Sequence, residues 1–228
     1  MAANYKIAHR GASGHAPENT LLAIEAAIRI GATAVEIDVH RCLTGEVVVI
    51  HDPSVDRTTS GKGDVAKTAL TVLKELDAGQ GQKIPTLREV LDLVNRRCPL
   101  FIDLKAPDVA MPTAELVTYY NKHKGWQHSE MIIISSYRQL LVQIHQKFPK
   151  IPLGVSIKEV PESLAACAEF THSTYLLPAA ECLNDALVED ARKRRVKIIA
   201  WTCNDAESIA SARRFGVDGI MSDFPERL

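Results

Sequence analysis

Short apolar runs rich in Val, Ile and Leu alternate along the chain with longer stretches whose apolar residues return every three or four positions. The runs predict strands at 5–9, 33–39, 100–105, 131–135, 152–156, 173–177, 197–201 and 217–222. The longer stretches predict helices near 20–30, 87–96, 113–124, 138–147, 161–169, 184–194 and 205–215. Strands alternating with helices imply parallel βαβ units, and eight such strands imply a closed (β/α)8 barrel of the TIM type. Few residues follow Ser222, so the eighth outer helix is expected to be missing or reduced to a turn.

Local punctuation agrees with this reading. The first helix has a polar start at Asn19 or Thr20 and a glycine stop at Gly31; the last has Asp205 and Gly216. Between Val39 and Asp52 there is no room for a helix. Thr44-Gly45-Glu46 reads as the turn of a hairpin whose return strand is 47–50. Residues 53–85 form a small insertion rich in Gly, Thr, Lys and Asp, with one short helix expected at 70–76. No repeat or linker divides the chain, so residues 1–228 are expected to be one domain that includes this insertion.

Composition narrows the function. A hydrophobic fraction of 46% suffices for one sizeable core. With 27 basic against 28 acidic residues, the net charge of -1 gives no basis for nucleic-acid binding or polybasic attraction to membranes. Recognition of phosphate must therefore be local. Five scattered cysteines form no C-x-x-C pair, which points to core thiols in a reducing compartment. The amino terminus lacks the apolar run of a secretory signal, and no stretch of ~20 apolar residues is present. A cytoplasmic protein without a membrane anchor is expected; oligomeric state is not readable.

Barrel enzymes build their sites at the carboxyl ends of the strands. Here those ends carry His9-Arg10-Gly11, Glu36-Ile37-Asp38, His51-Asp52 on the hairpin, Asp103-Leu104-Lys105, Trp201-Thr202-Cys203-Asn204 and Ser222-Asp223. Residues two apart on a strand share a face. Val35, Ile37 and Val39 claim the helix-facing side, so Glu36 and Asp38 point into the barrel; Asp103 follows the same parity. Three converging carboxylates repel unless a cation sits among them, and their hard oxygens suit Mg²⁺, Mn²⁺ or Ca²⁺. The bland alternative pairs these acids with Arg10 and Lys105 in a buried ion network.

His9 and His51 can approach the same mouth, and imidazole suits proton transfer near neutral pH. One can take a proton from the attacking group while the other gives one to the leaving alcohol. Arg10 and Lys105 can hold phosphate oxygens. Trp201 is either a wall for substrate or core packing, and Asp223 a helix cap or an acceptor behind the site. His15 and His40 lie near the mouth without needing a role, and His123, His128, His145 and His172 read as surface or core residues. Gly61-Lys62-Gly63 lacks the spacing of a phosphate loop.

The ordered set His9-Arg10-Gly11, Pro17-Glu18-Asn19-Thr20, Glu36-Ile37-Asp38-Val39, His51-Asp52, Asp56-Arg57-Thr58-Thr59, Ile84-Pro85-Thr86-Leu87 and Trp201-Thr202 with Asn204 resembles the glycerophosphodiester phosphodiesterase family. That family consists of barrel enzymes related to phosphatidylinositol phospholipase C. The resemblance covers nearly the whole chain. It implies His9 and His51 as the acid–base pair, Glu36, Asp38 and Asp103 as ligands of one divalent metal, and Arg10 and Lys105 on the phosphate. The implied substrate is a small glycerophosphodiester, hydrolysed to glycerol 3-phosphate and an alcohol. Asp103 departs from the family's usual Glu and is shorter by one methylene, which bears on the choice of metal. Cys203 and Tyr137 replace the common Val and Phe. An aspartate as third ligand also resembles sphingomyelinase D relatives, so lysophospholipase D or phospholipase-C-like action on lipids is the alternative. A catalytically silent phosphate-binding barrel is a further one.

Overall fold

The computed structural model describes residues 5–228. Its elements are β1 (Tyr5–Ala8), α1 (Leu21–Ile30), β2 (Ala34–Arg41), β3 (Val47–Val49), α2 (Leu70–Glu75), α3 (Leu87–Val94), β4 (Leu100–Leu104), α4 (Ala110–His123), β5 (Met131–Ser135), α5 (Arg138–Lys147), β6 (Leu153–Ile157), α6 (Ala166–Phe170), β7 (Tyr175–Pro178), α7 (Asp185–Lys193), β8 (Lys197–Ala200), α8 (Ala206–Phe215) and β9 (Gly219–Ser222). The sheet runs β1-β9-β8-β7-β6-β5-β4-β2, and β1 pairs back onto β2, which closes a parallel eight-stranded TIM-type barrel. Strand β3 adds to β2 in antiparallel fashion, as the hairpin reading requires, with Gly45 at φ 101° in its turn. A single 3-10 turn, Pro225–Arg227, stands where an eighth helix would follow.

Strand parity sorts the core into two layers. Val35, Ile37, Val39, Leu100, Ile102 and Leu104 pack outward against helix residues such as Ile24, Leu87 and Leu91. Ile7, Ala34, Phe101, Ile132, Tyr175, Leu177, Ile199 and Met221 fill the interior. Phe101 sits edge-on to Tyr5 and Tyr175, with ring centroids 5.7 and 5.5 Å apart, plugging the barrel floor. Space for these large groups comes partly from β6: a Cβ on Gly154 would stand 2.6 Å from Leu177 Cδ1. A separate small core of Cys42, Val48, Ile50, Val55, Val65, Leu73, Ala78 and Ile84 ties residues 53–85 to the hairpin.

The helix ends follow local chemistry. Thr20 caps α1 by accepting from the Ala23 N–H, and Gly31 closes it at φ 92°. Asp205 and Gly216 do the same for α8. Two expectations need correction. Helix α4 begins at Ala110 rather than 113, because Pro112 lies in the first turn, where its missing N–H removes no helical bond. Helix α6 is shorter than the expected 161–169. Leu164 adopts φ 47°, and Asp190 of α7 accepts the Ala165 N–H at 3.0 Å, so a neighbouring helix replaces the bonds of a first turn.

Candidate active site

The barrel mouth holds a cavity of about 260 Å³ lined by His9, Arg10, Glu36, Asp38, His51, Asp103, Lys105 and Trp201, among others. All eight residues singled out from the sequence therefore meet in one place. Register explains the acids: Asp38 and Asp103 are lateral partners on β2 and β4, and Glu36 lies two residues below Asp38 on the same inward face. Ligand oxygens of the three lie within 4.8 Å of one another. Glu36 and Asp38 are almost wholly buried.

Charge is unevenly shared among them. Lys105 Nζ bridges Asp38 Oδ1 at 3.0 Å and Asp103 Oδ2 at 2.9 Å. Arg10 Nε lies 3.3 Å from Asp38 Oδ2 without hydrogen-bond geometry. Asn19 grips Asp38 twice, donating Nδ2 to Oδ2 at 2.8 Å and accepting the Asp38 N–H at 3.1 Å. Burial opposes a charge on Asp38, but Lys105 and Arg10 hold its carboxyl below the usual range. The ion network anticipated as the bland reading thus exists for two of the acids.

Glu36 stands outside it. Among the described residues no lysine or arginine lies within ion-pair distance of its carboxylate, which accepts from the Arg10 backbone N–H at 2.9 Å. Burial, and then the neighbouring charges of Asp38 and Asp103, push Glu36 well above the usual carboxylate range. Burial likewise pushes Asp103 up to about 6. A trio of hard oxygens with two members reluctant to ionise fits a divalent cation, which supplies the missing positive charge.

The two histidines are mounted alike at one nitrogen. His9 Nδ1 lies 2.7 Å from Asp223 Oδ1, across 214 residues of sequence. His51 Nδ1 lies 2.6 Å from Asp52 Oδ1, its own neighbour in the chain. Each carboxylate is itself held. Asp223 accepts from Ser13 Oγ at 2.9 Å and Asn204 Nδ2 at 2.7 Å; burial opposes its charge, yet the His9 contact and these donors bring it down to about 2. Asp52 accepts Arg57 Nε at 2.6 Å and falls below the usual range, chiefly through that bond. Burial lowers the His51 pKa from the ordinary imidazole value. In both rings the carboxylate engages Nδ1 and not Nε2.

Local backbone puts His9 and Arg10 in place. Arg10 turns sharply at φ 55°, and Gly11 follows at φ 78°, where a Cβ would stand 2.7 Å from the Ala23 backbone. The turn aims the Arg10 guanidinium at Glu18, 2.9 Å away. Trp201 lines the cavity, packs against the interior apolar layer and donates its indole N–H to Leu177 O at 2.7 Å.

The match to known proteins spans nearly all of this architecture. Residues 9–227 match the model of the glycerophosphoryl diester phosphodiesterase family. The chain belongs to this family. A glycerophosphodiester phosphodiesterase of Caldanaerobacter subterraneus is 35% identical over 97% of this chain and 95% of that protein. One from Bacillus subtilis is 32% identical over 96% of this chain and 83% of its own length. Among solved structures, a phosphodiesterase of Oleispira antarctica in complex with the product sn-glycerol 3-phosphate superposes with TM-score 0.90 at 31% identity, covering 97% of this chain and 93% of that one.

Within the phosphodiesterase family frame, the structure also brings in residues that strand-end reasoning passed over. Ser136, Ser156 and Lys158, at or just beyond the ends of β5 and β6, line the cavity. The end-of-strand rule that found the other residues applies to these three as well. A second cavity of about 430 Å³ adjoins the first and shares His51, Asp103, Lys105, Ser136 and Lys158 with it. Glu18 and Asn19, known from the sequence only as parts of motifs, contact Arg10 and Asp38 directly, and Arg57 reaches the site through Asp52 and Glu18. Among the described residues no helix is long and apolar enough to cross a membrane.

Proposed function

We propose that this protein hydrolyses small glycerophosphodiesters to glycerol 3-phosphate and an alcohol, with His9 and His51 as the acid–base pair. The carrying observation is that two imidazoles, each fixed at Nδ1 by a carboxylate, line one cavity with three clustered acids and the cations Arg10, Lys105 and Lys158. That set suits attack on a phosphodiester and departure of an alkoxide, both of which require proton transfer. Glycerol 3-phosphate bound in the Oleispira antarctica structure supports the same substrate class.

Arg10 and Lys105 hold the non-bridging phosphate oxygens and balance charge that grows in the transition state. One imidazole removes, at its Nε2, the proton of the attacking oxygen. That oxygen is either water, giving glycerol 3-phosphate at once, or the glycerol hydroxyl, giving a cyclic phosphate that water then opens. The other delivers a proton to the departing alcohol oxygen. Asp223 and Asp52 keep both rings turned for this work and stabilise the imidazolium form. Trp201 closes one side against water, and the adjoining cavity gives room for the alcohol half. Glu36, Asp38 and Asp103 hold one divalent cation of the Mg²⁺, Mn²⁺ or Ca²⁺ type. Such an ion supplies Lewis-acid charge at the phosphate when bound.

Residues 1–228 act in this reading as a single phosphodiesterase domain. The partner is a soluble diester rather than nucleic acid or a membrane. Five buried, unpaired cysteines suit a reducing, cytoplasmic setting. The deciding assay couples release of glycerol 3-phosphate from glycerophosphocholine and glycerophosphoethanolamine to a dehydrogenase, with and without EDTA. Turnover that stops on chelation and on His9→Ala is expected; turnover indifferent to both overturns the mechanism. Faster choline release from lysophosphatidylcholine micelles than from the soluble diester moves the reading to lysophospholipase D.

A further inference from the structure

We infer that Arg57, outside the cavity, is a positioning residue that joins the His51 mount to the phosphate-holding Arg10 through Glu18. The inference rests on the roles proposed above for His51 and Arg10. The guanidinium of Arg57 donates Nε and Nη2 to the two oxygens of Asp52, at 2.6 and 3.1 Å. It donates Nη1 and Nη2 to the two oxygens of Glu18, both at 2.8 Å. Glu18 in turn accepts Arg10 Nη1 at 2.9 Å, and Asp52 contacts His51 Nδ1 at 2.6 Å. A continuous chain His51–Asp52–Arg57–Glu18–Arg10 results. Its two ends line the active cavity, and its three middle members do not.

Arg57 is fixed for this task by its own segment. Val55 is buried in the small core of residues 53–85, and Thr59 closes a turn over Arg57 by bonding Val55 O through both its backbone N–H and its hydroxyl, at 3.1 and 2.7 Å. Asp56 holds the far side of the loop through the Gly63 N–H at 2.8 Å. The insertion thus reads as a bracket that delivers one guanidinium to the back of the site.

Arg57 is about half exposed, so the network adds a modest amount to stability. What two forked contacts do supply is direction. A guanidinium engaged on both edges fixes the planes of both carboxylates, and each carboxylate fixes one group in the cavity. His51 lies on a loop beyond β3, where Asp52 is the side chain that fixes its ring.

The test is a set of variants assayed with glycerophosphocholine at saturating divalent cation, beside ¹⁵N NMR of the histidine rings. Arg57→Ala is expected to lower kcat about 10- to 100-fold, as loss of groups behind a reacting residue usually does, and to raise KM less than Glu18→Gln does, because the direct Glu18–Arg10 contact remains. Arg57→Lys recovers only part, since an ammonium cannot span both carboxylates; added guanidinium restores Arg57→Ala. Glu18→Gln lowers kcat and also raises KM, because it frees Arg10. In an Asp52→Asn background, Arg57→Ala costs much less than in wild type, since the two act on the same ring. The ¹⁵N signals of His51 report Nδ1–H in wild type and lose that single form in Arg57→Ala, while those of His9 stay unchanged. Unchanged kcat in Arg57→Ala, a full additive cost in the Asp52→Asn background, or unaltered His51 signals each overturn the inference. A wild type inert on every glycerophosphodiester sinks the functional reading instead, and the NMR arm still decides whether Arg57 orients His51.

Discussion

Inward positions at the floor and at the mouth of the barrel differ by one or two steps along the same strands, yet their chemistry is opposite. Ile7 gives way to His9, Ala34 to Glu36 and Asp38, Phe101 to Asp103, Ile199 to Trp201 and Met221 to Asp223. The floor buries interlocked aromatic and aliphatic groups that bring stability and carry no reactive group. The mouth buries like charges that cost stability, a cost that the proposed reaction turns to use: unmatched carboxylates would attract a cation, and fixed imidazoles would transfer protons. Stability built at one end holds the strain collected at the other.

Mutations at the two ends are therefore expected to separate activity from stability. The largest effect belongs to Glu36→Gln, which removes the acid without a cationic partner. Glycerol 3-phosphate release is expected to fall by roughly a thousandfold or more, on the scale of losing metal or acid–base assistance. Thermal unfolding in metal-free buffer stays level or moves upward, because a buried acid with no cationic partner no longer has to stay protonated or bear an unpaired charge. A parallel loss of folding would erase the distinction between the two ends.

Phe101→Ala is the converse at the floor. Chemical denaturation should show a loss of about 3–5 kcal/mol, the usual cost of emptying a buried aromatic site. Turnover per folded molecule should stay near wild type. If turnover collapses while the fold persists, the floor and mouth are more tightly coupled than their chemistry implies.

Asp223→Asn tests a group that belongs to the mouth but also contributes stability. A carboxyl held down to about 2 favours the folded state above its unfolded pKa of about 3.9, and that contribution disappears as pH falls through 2. Wild type should exceed the variant in denaturant midpoint at pH 5, with the gap closing between pH 4 and pH 2. Activity should fall as His9 loses its orientation. A gap that widens toward acid would reverse the sign and remove Asp223 as the anchor of His9.

The smallest change expected is Asp103→Glu, which adds one methylene to the third acid. Activity within about tenfold of wild type, with an altered preference among Mg²⁺, Mn²⁺ and Ca²⁺, should be seen in metal titrations, because ligand reach decides cavity size for the ion. An unaltered preference would mean that this position does not tune the metal.

Parity along β2 and β4 made Glu36, Asp38 and Asp103 legible in the residue pattern alone, since a strand has only two faces and Val35, Ile37 and Ile102 occupied one of them. Strand ends made His9, Arg10 and Lys105 legible in the same way. Lys158 and Ser136 obeyed that rule but stood in segments with no second signal. Helix α6 was misplaced because an acceptor from another helix, Asp190, replaced its first turn. The division of charge was also hidden: Lys105 could have met any of three acids, and the structure gives it Asp38 and Asp103.

Periodicity, caps and strand-end residues determined the barrel, its inward acids and its pair of histidines, because each of these depends on neighbours within a few positions. Only the folded chain decided that Asp223 reaches His9 across 214 residues and Arg57 reaches Glu18 across 39. Contacts of that kind depend on barrel closure and loop path, and those are set by the packing of the whole molecule rather than by any local stretch of it.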